Sequence, residues 1–227
     1  MDRLFENIGV LVPAYNAGNT LGSLIERLSP YVPTNNVLVV DDGSTDNTAA
    51  IGRQRGVRVL SLGKNRGKGA ALSKGFEVWK NDPSFESIMT IDADLQHPPE
   101  KLPAFVEMKL QSGADIVVGA RNRRGTNMPI HRRLSNTITS MLVSVRTGEN
   151  ILDSQCGFRL IGTHVLSAVS LESNGYEAET EFLIKAVKKG FAVRFVPIET
   201  IYNGEKSHMT NWKTTINFIK ILLQDYS

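Results

Sequence analysis

The sequence predicts an α/β protein: a mainly parallel, Rossmann-like sheet covered by helices on both faces, with a C-terminal helical extension. Two patterns carry this expectation. Short β-branched runs alternate with helix-periodic segments over residues 1–120, the rhythm of βαβ units joined by short loops. Polar motifs then fall where the runs end, and ligands of such sheets bind beyond the carboxyl ends of the strands.

Ile8–Val12 is the first expected strand, followed by a helix over Thr20–Leu28 and a strand over Val37–Val40. Ser44-Thr45-Asp46-Asn47 supplies capping side chains for a helix over Thr48–Arg55. Val57–Leu60 reads as a strand, Lys68–Trp79 as a helix and Ser87–Ile91 as a strand. Prolines open a helix over Pro99–Gln111, and Asp115–Val118 is the fifth strand. The second half is less regular. Leu134, Ile138, Met141, Leu142 and Val145 form a helical apolar stripe, and Thr180–Lys189 reads as a helix before a strand at Val193–Val196. Residues 211–224 form a terminal helix with Trp212, Ile216, Ile219 and Leu223 on one stripe. Two fates are open to both stripes: packing on the sheet, the commoner one, or lying against an anionic bilayer.

At 227 residues the chain suffices for one domain with a well-buried core. Its 41% hydrophobic and 22% charged content is ordinary for a soluble protein, and a net charge of +3 is no nucleic-acid signature. Charge is segregated instead. Arg121, Arg123, Arg124, Arg132 and Arg133 cluster, while carboxylates gather at Asp41-Asp42 and at Asp92 and Asp94. Such a chain can hold a metal and anionic ligands side by side. Aromatic residues are not interleaved with the arginines, which speaks against a nucleic-acid partner. Cys156 is the single cysteine, so no intrachain disulfide forms and a reducing, cytoplasmic location is expected. The N-terminus lacks a signal-peptide layout and no run approaches the roughly 20 apolar residues that span a bilayer, so membrane contact is expected to be peripheral.

The most informative stretch is Ile91-Asp92-Ala93-Asp94-Leu95-Gln96. On an extended chain, Asp92, Asp94 and Gln96 share a face at a strand end. Their oxygens suit a hard cation such as Mg²⁺ or Mn²⁺, which completes its shell with water and substrate phosphates. A solvated acidic turn is the alternative.

Several motifs in order resemble the family 2 glycosyltransferases of GT-A fold, and within them the dolichyl- or polyprenyl-phosphate mannose and glucose synthases. They are Val12-Pro13-Ala14-Tyr15-Asn16, Val39-Val40-Asp41-Asp42-Gly43-Ser44, Asn65-Arg66-Gly67-Lys68-Gly69-Ala70, Asp92-Ala93-Asp94-Leu95-Gln96-His97-Pro98 and Gly119-Ala120-Arg121-Asn122. Asp153-Ser154-Gln155-Cys156-Gly157-Phe158-Arg159-Leu160 points to the lipid-phosphate subgroup. The resemblance implies one catalytic domain over residues 1–227, with a nucleotide-sugar half (1–120), an acceptor half (121–210) and a terminal helix (211–227).

It implies that Asp94 and Gln96 hold Mg²⁺ or Mn²⁺, with Asp92 reaching the ribose or a metal-bound water. Tyr15 and the Pro13 carbonyl are expected at the base, and Asp42 at base or ribose, leaving Asp41 for the Ser44–Asn47 turn. Lys68 and the amides of its helix start suit a phosphate. Arg121 matches a phosphate-binding arginine, with Lys206 and His208 as further acceptor or phosphate contacts, and Arg159 either adds charge there or forms a structural salt bridge. His97, before two prolines, reads as a loop residue. Two departures from the family pattern stand out: Ala17 replaces a glutamate, and Thr200 and His208 occupy arginine and lysine positions of a C-terminal loop.

The implied reaction is inverting transfer of a hexose from a nucleotide-diphosphate sugar to a polyprenyl phosphate at the cytoplasmic membrane face. A phosphate acceptor is already anionic and needs no strong base. A sugar or glycolipid hydroxyl would need one, with Asp153 first and Glu179 or Glu181 as alternatives. A sugar-nucleotidyltransferase is the distant reading, since its glycine-rich loop is missing after the first strand.

Overall fold

The structure, a computed structural model, describes residues 5–122, 130–199 and 212–226, and of residues 130–133 and 212–216 the backbone alone. Among the described residues the strands are β1 (Ile8–Ala14), β2 (Val37–Asp41), β3 (Arg58–Ser61), β4 (Ser87–Thr90), β5 (Ile116–Arg121), β6 (Arg159–Gly162) and β7 (Val193–Ile198). They form a single sheet in the order β3-β2-β1-β4-β6-β5-β7. Every neighbouring pair is parallel except those of β6, which runs antiparallel to β4 and β5. The helices are α1 (Leu21–Leu28), α2 (Thr48–Gln54), α3 (Lys68–Trp79), α4 (Leu102–Ser112), α5 (Ile130–Thr147), α6 (Thr163–Ala168), α7 (Ala178–Lys188) and α8 (Trp212–Leu223).

Residues of β1, β2 and β4 are buried throughout, because helices cover both faces of the sheet; parallel strands so placed read as continuous apolar runs. On one face α1 touches α2 and the turn into α4. On the other, α3 crosses β1 and β2 and meets α7, which in turn meets α5. Right-handed crossovers require this division, since α1 and α2 step outward along the sheet while α3 steps back across it.

The sequence reading omits β6 and α6. Arg159–Gly162 lies outside the strand–helix alternation that marks β3 and β4, and antiparallel pairing is invisible in local pattern. Yet β6 positions the site. Because it runs against its neighbours, its first residue, Arg159, lies beside Thr90 and Val118 near the carboxyl ends of β4 and β5. Residues 153–158 therefore arrive at the same edge as Asp92 and Arg121. Thr90 Oγ1 secures them by donating to the Gly157 carbonyl at 2.7 Å.

The start of α3 is packed against the turn before α7 with no room for a side chain. A Cβ on Gly69 would lie 2.3 Å from the Ser173 carbonyl oxygen and 2.7 Å from Ala178 Cβ. Backbone cannot yield as a side chain does, so Gly69→Ala is expected to cost about 2 kcal/mol. In a chain of this size that lowers the melting temperature by about 4–8 °C. An unchanged melting temperature would show that the two turns are not in this close contact.

Candidate active site

Beyond β4 the chain does not stay extended. Asp94 Oδ1 accepts from the Gln96 amide at 3.0 Å, and Leu95 takes a left-handed φ of +60°. For a residue with a side chain that conformation costs about 1–2 kcal/mol, and such strain concentrates at functional turns. The expectation that Asp92, Asp94 and Gln96 share one strand face is thus corrected: a tight turn presents Asp94 and Gln96, while Asp92 is engaged elsewhere.

Asp92 is held by Lys68. The Lys68 ammonium lies 2.6 Å from Asp92 Oδ1 and 2.9 Å from Glu179 Oε1. Gly157 makes the convergence of the two carboxylates possible, since a Cβ there would lie 2.7 Å from both Asp92 Oδ2 and Glu179 Oε1. Burial works to neutralise the lysine, but the two carboxylates outweigh it and hold its pKa well above the ordinary value. Burial likewise acts to raise Asp92, which Lys68 and its other cationic neighbours reverse, leaving it low. In Glu179 burial prevails over Lys68, with Asp92 adding repulsion, and its pKa is raised.

The phosphate cradle expected at Lys68 is likewise corrected. Asp42 takes the amides of Arg66 at 2.8 Å and Gly67 at 2.7 Å. The Asn174 carbonyl takes the Gly69 amide at 2.8 Å. The helix start is therefore closed by protein groups, and Asp42 serves this loop from a buried position where the sequence suggested base or ribose. Asp41 does bond its own turn, accepting from the Ser44 amide at 3.0 Å.

Tyr15 stands 44% exposed after β1, free to meet a planar ligand. Pro13 lies inside β1 opposite Val40. Behind Tyr15 the turn is laced to the loop after β2: Asn16 Oδ1 accepts from the Thr45 amide at 2.9 Å, and the Ala17 amide donates to Thr48 Oγ1 at 2.8 Å. Asn16 has φ +50° to make these bonds.

On the other side of the site, Arg121 ends β5 and forms a bidentate pair with Asp153, Nε to Oδ2 at 2.7 Å and Nη2 to Oδ1 at 2.8 Å. Asp153 is 1% exposed and also accepts from the Gln155 amide at 3.1 Å. Both oxygens of that carboxylate are thus taken by donors. Glu181 is equally committed, to the amides of Glu172 and Ser173 and to Lys185. Arg159 takes the structural one of its two expected roles, with carbonyls as partners and not a carboxylate. Its guanidinium is buried and donates to the carbonyls of Cys156, Glu179 and Ser154 at 2.7, 2.7 and 3.0 Å. Lys206 and His208, with Thr200, Arg123 and Arg124, lie outside the described residues.

Sequence reasoning missed His97 and gave Glu179 only a secondary part. His97 is buried under the turn, with Nε2 3.9 Å from Asp92 Oδ2 and its ring stacked on Phe158 at 6.0 Å. The adjoining prolines suggested a loop, and only the depth of the turn shows otherwise.

Burial, with help from Arg121 and Lys68 and against Asp92, pushes the His97 pKa down to about 4. The folded form thus favours neutral imidazole, whereas the unfolded chain protonates near 6.5. The associated stability is complete above about pH 6.5 and is lost as pH falls toward about 4, a change of about 3 kcal/mol. The fall in melting temperature across that window should shrink in His97→Asn. Equal falls in the two proteins would show that His97 is not the titrating group.

The model of Glycosyl transferase family 2 matches residues 9–170. A Methanocaldococcus jannaschii protein without an assigned function is 33% identical over 96% of this chain and 90% of its own length. The undecaprenyl-phosphate mannosyltransferase of Micrococcus luteus is 31% identical over 83% of this chain and 81% of its own. The crystal structure of Mycobacterium tuberculosis glucosyl-3-phosphoglycerate synthase with Mg²⁺ and uridine diphosphate superposes with a TM-score of 0.77 at 24% identity, covering 96% of this chain and 78% of that one. That likeness establishes the GT-A fold. With the matched model spanning most of the sheet and the turns at its carboxyl edge, the chain belongs to Glycosyl transferase family 2.

Proposed function

We propose that the protein transfers a hexose, with inversion, from a nucleotide-diphosphate sugar to a polyprenyl phosphate, using a divalent metal. One observation carries the choice of acceptor. Asp153 is committed to Arg121 and Glu181 to two amides and Lys185, while Glu179, though its pKa is raised by burial, is 6% exposed and bonded to Lys68. A hydroxyl acceptor requires a base to take its proton. A phosphate oxygen carries its negative charge at neutral pH and attacks without one.

The donor set fits Mg²⁺ or Mn²⁺. Asp94 and Gln96 offer a carboxylate and an amide oxygen on one tight turn, the hard donors such ions take. Asp94 and Gln96 would hold the ion, and hard oxygen donors from one or two side chains suffice when phosphates complete the shell. Such an ion neutralises the diphosphate as the glycosidic bond breaks.

The chain's own residues supply the rest. Lys68 keeps Asp92 ionised and fixed at the edge of the site, in reach of ribose or water. Asp153 sets the plane of the Arg121 guanidinium, which would face phosphate from the β5 side. Tyr15 would lie against the nucleotide base. The M. luteus relative supports the lipid-phosphate acceptor through its name alone.

Incubation with GDP-mannose or UDP-glucose, Mn²⁺ and a short-chain polyprenyl phosphate should yield the glycosyl lipid and free nucleoside diphosphate. Asp94→Ala should lower the rate at least 100-fold with little change in melting temperature, since the Asp94 side chain is only partly buried. Full activity of that variant, or of wild type in excess EDTA, would remove the metal from the account. Transfer to a soluble sugar but not to the lipid phosphate would overturn the acceptor and require Asp153 to leave Arg121.

A further inference from the structure

Of the described phenylalanine, tyrosine and tryptophan side chains, only Tyr15 and Tyr176 are exposed, at 44% and 36%. Single exposed aromatics are common on protein surfaces, so it is the place of Tyr176 that counts. It stands on the turn before α7, and its ring lies over the Lys68 ammonium at 6.0 Å. A cation so placed is attracted by the electron-rich face of the ring. Burial raises the pKa of the Tyr176 hydroxyl, against Lys68 and together with Asp92, Glu179 and Asp94. The ring is therefore in the field of the turn that carries Asp94, and its hydroxyl stays protonated at neutral pH.

The chain holds this ring from both sides. Before it, the Asn174 carbonyl accepts from the Gly69 amide at 2.8 Å. After it, Glu177 Oε1 accepts from Asn217 Nδ2 of α8 at 3.1 Å. Gly175 is required between them, since a Cβ there would clash with the Glu177 carboxylate. The ring is thus set on backbone tied to α3 and α8, which spares a ligand the cost of ordering it.

The surroundings select what can lie on the ring. Its electron-rich face repels a phosphate. An isoprenyl chain there would shut Lys68, Asp92 and Glu179 off from water without offering them a partner. The nucleotide base has its place at Tyr15, whose turn is laced to the loop after β2. A pyranose suits the position, because it carries hydroxyls at its rim for the charged groups and C–H bonds on its faces for an aromatic ring. In a nucleotide-diphosphate sugar the hexose is joined directly to the diphosphate, so a metal at Asp94 brings it to this turn.

We propose that Tyr176 is the platform for the donor hexose, its ring covering one face of the pyranose. The proposal rests on the nucleotide-sugar reading and deepens it: Tyr15 and Tyr176 receive the two ends of the donor, with its diphosphate at the turn of Asp94 and Gln96.

The test is calorimetric titration of the full chain with Mn²⁺, using GDP with GDP-mannose and UDP with UDP-glucose. For the pair that wild type binds, Tyr176→Leu should weaken the nucleotide sugar by roughly fivefold, about the worth of one aromatic contact. Binding of the nucleoside diphosphate should be unchanged, which also shows that the variant is folded. Tyr176→Phe should restore the nucleotide sugar, whereas Tyr15→Leu should weaken both ligands alike. Equal weakening of both ligands by Tyr176→Leu, or of neither, would overturn the proposal. Wild type that binds a nucleoside diphosphate but neither nucleotide sugar would overturn it together with the donor reading. The expected pattern without transfer to any polyprenyl phosphate would instead overturn the acceptor and leave Tyr176 at the hexose.

Discussion

The Lys68 ammonium, shared between Asp92 and Glu179, is the interaction on which the site depends. It joins the start of α3, the turn after β4 and the start of α7, three elements far apart in sequence. Lys68 and Glu179 are largely buried, so the pair is retained against a large desolvation cost. Removing one member of such a group costs about 3–5 kcal/mol, because the remaining charge stays buried without a partner. The surroundings are shaped to it. Gly157 admits two carboxylates at one point, Gly69 lets α3 meet the turn before α7, and Asp42 with Asn174 closes the amides that would otherwise compete for an anion.

The same economy appears on the β5 side. Arg121 and Asp153 hold each other, and Arg159 ties together the carbonyls of Ser154, Cys156 and Glu179. Antiparallel β6 makes this possible by delivering residues 153–158 to the carboxyl edge of a sheet whose other strands leave from it. Most charged side chains at the edge are thus occupied in placing one another. Asp94 and Gln96 share a strained turn at the same edge.

Much of this was legible in the sequence, and the rest follows a physical rule. β1, β2 and α3 could be read because burial on both faces, or on one helical stripe, leaves a local periodicity. β6 could not, because it stands outside the strand–helix alternation and its antiparallel partners lie far along the chain. The site residues divide similarly. Asp42, Lys68 and Arg159 were identified by type as an anion and two cations, but their partners sit 24 or 25 residues away for Asp42 and 20 residues away for one bond of Arg159. Local chemistry names what a side chain can do without naming what it meets. For α5 the stripe showed amphipathicity, whereas which face turns inward was decided by hydroxyls that bond Ile151 and Ser154.

The most direct measurement of the Lys68 account is a crystal structure of the chain with Mn²⁺ and a nucleoside diphosphate, with the metal located by its anomalous scattering. The metal should lie against Asp94 and Gln96, with the Lys68 ammonium still within hydrogen-bond distance of Asp92 and Glu179. A Lys68 side chain swung onto the diphosphate, with Asp92 taken up by the metal, would contradict it.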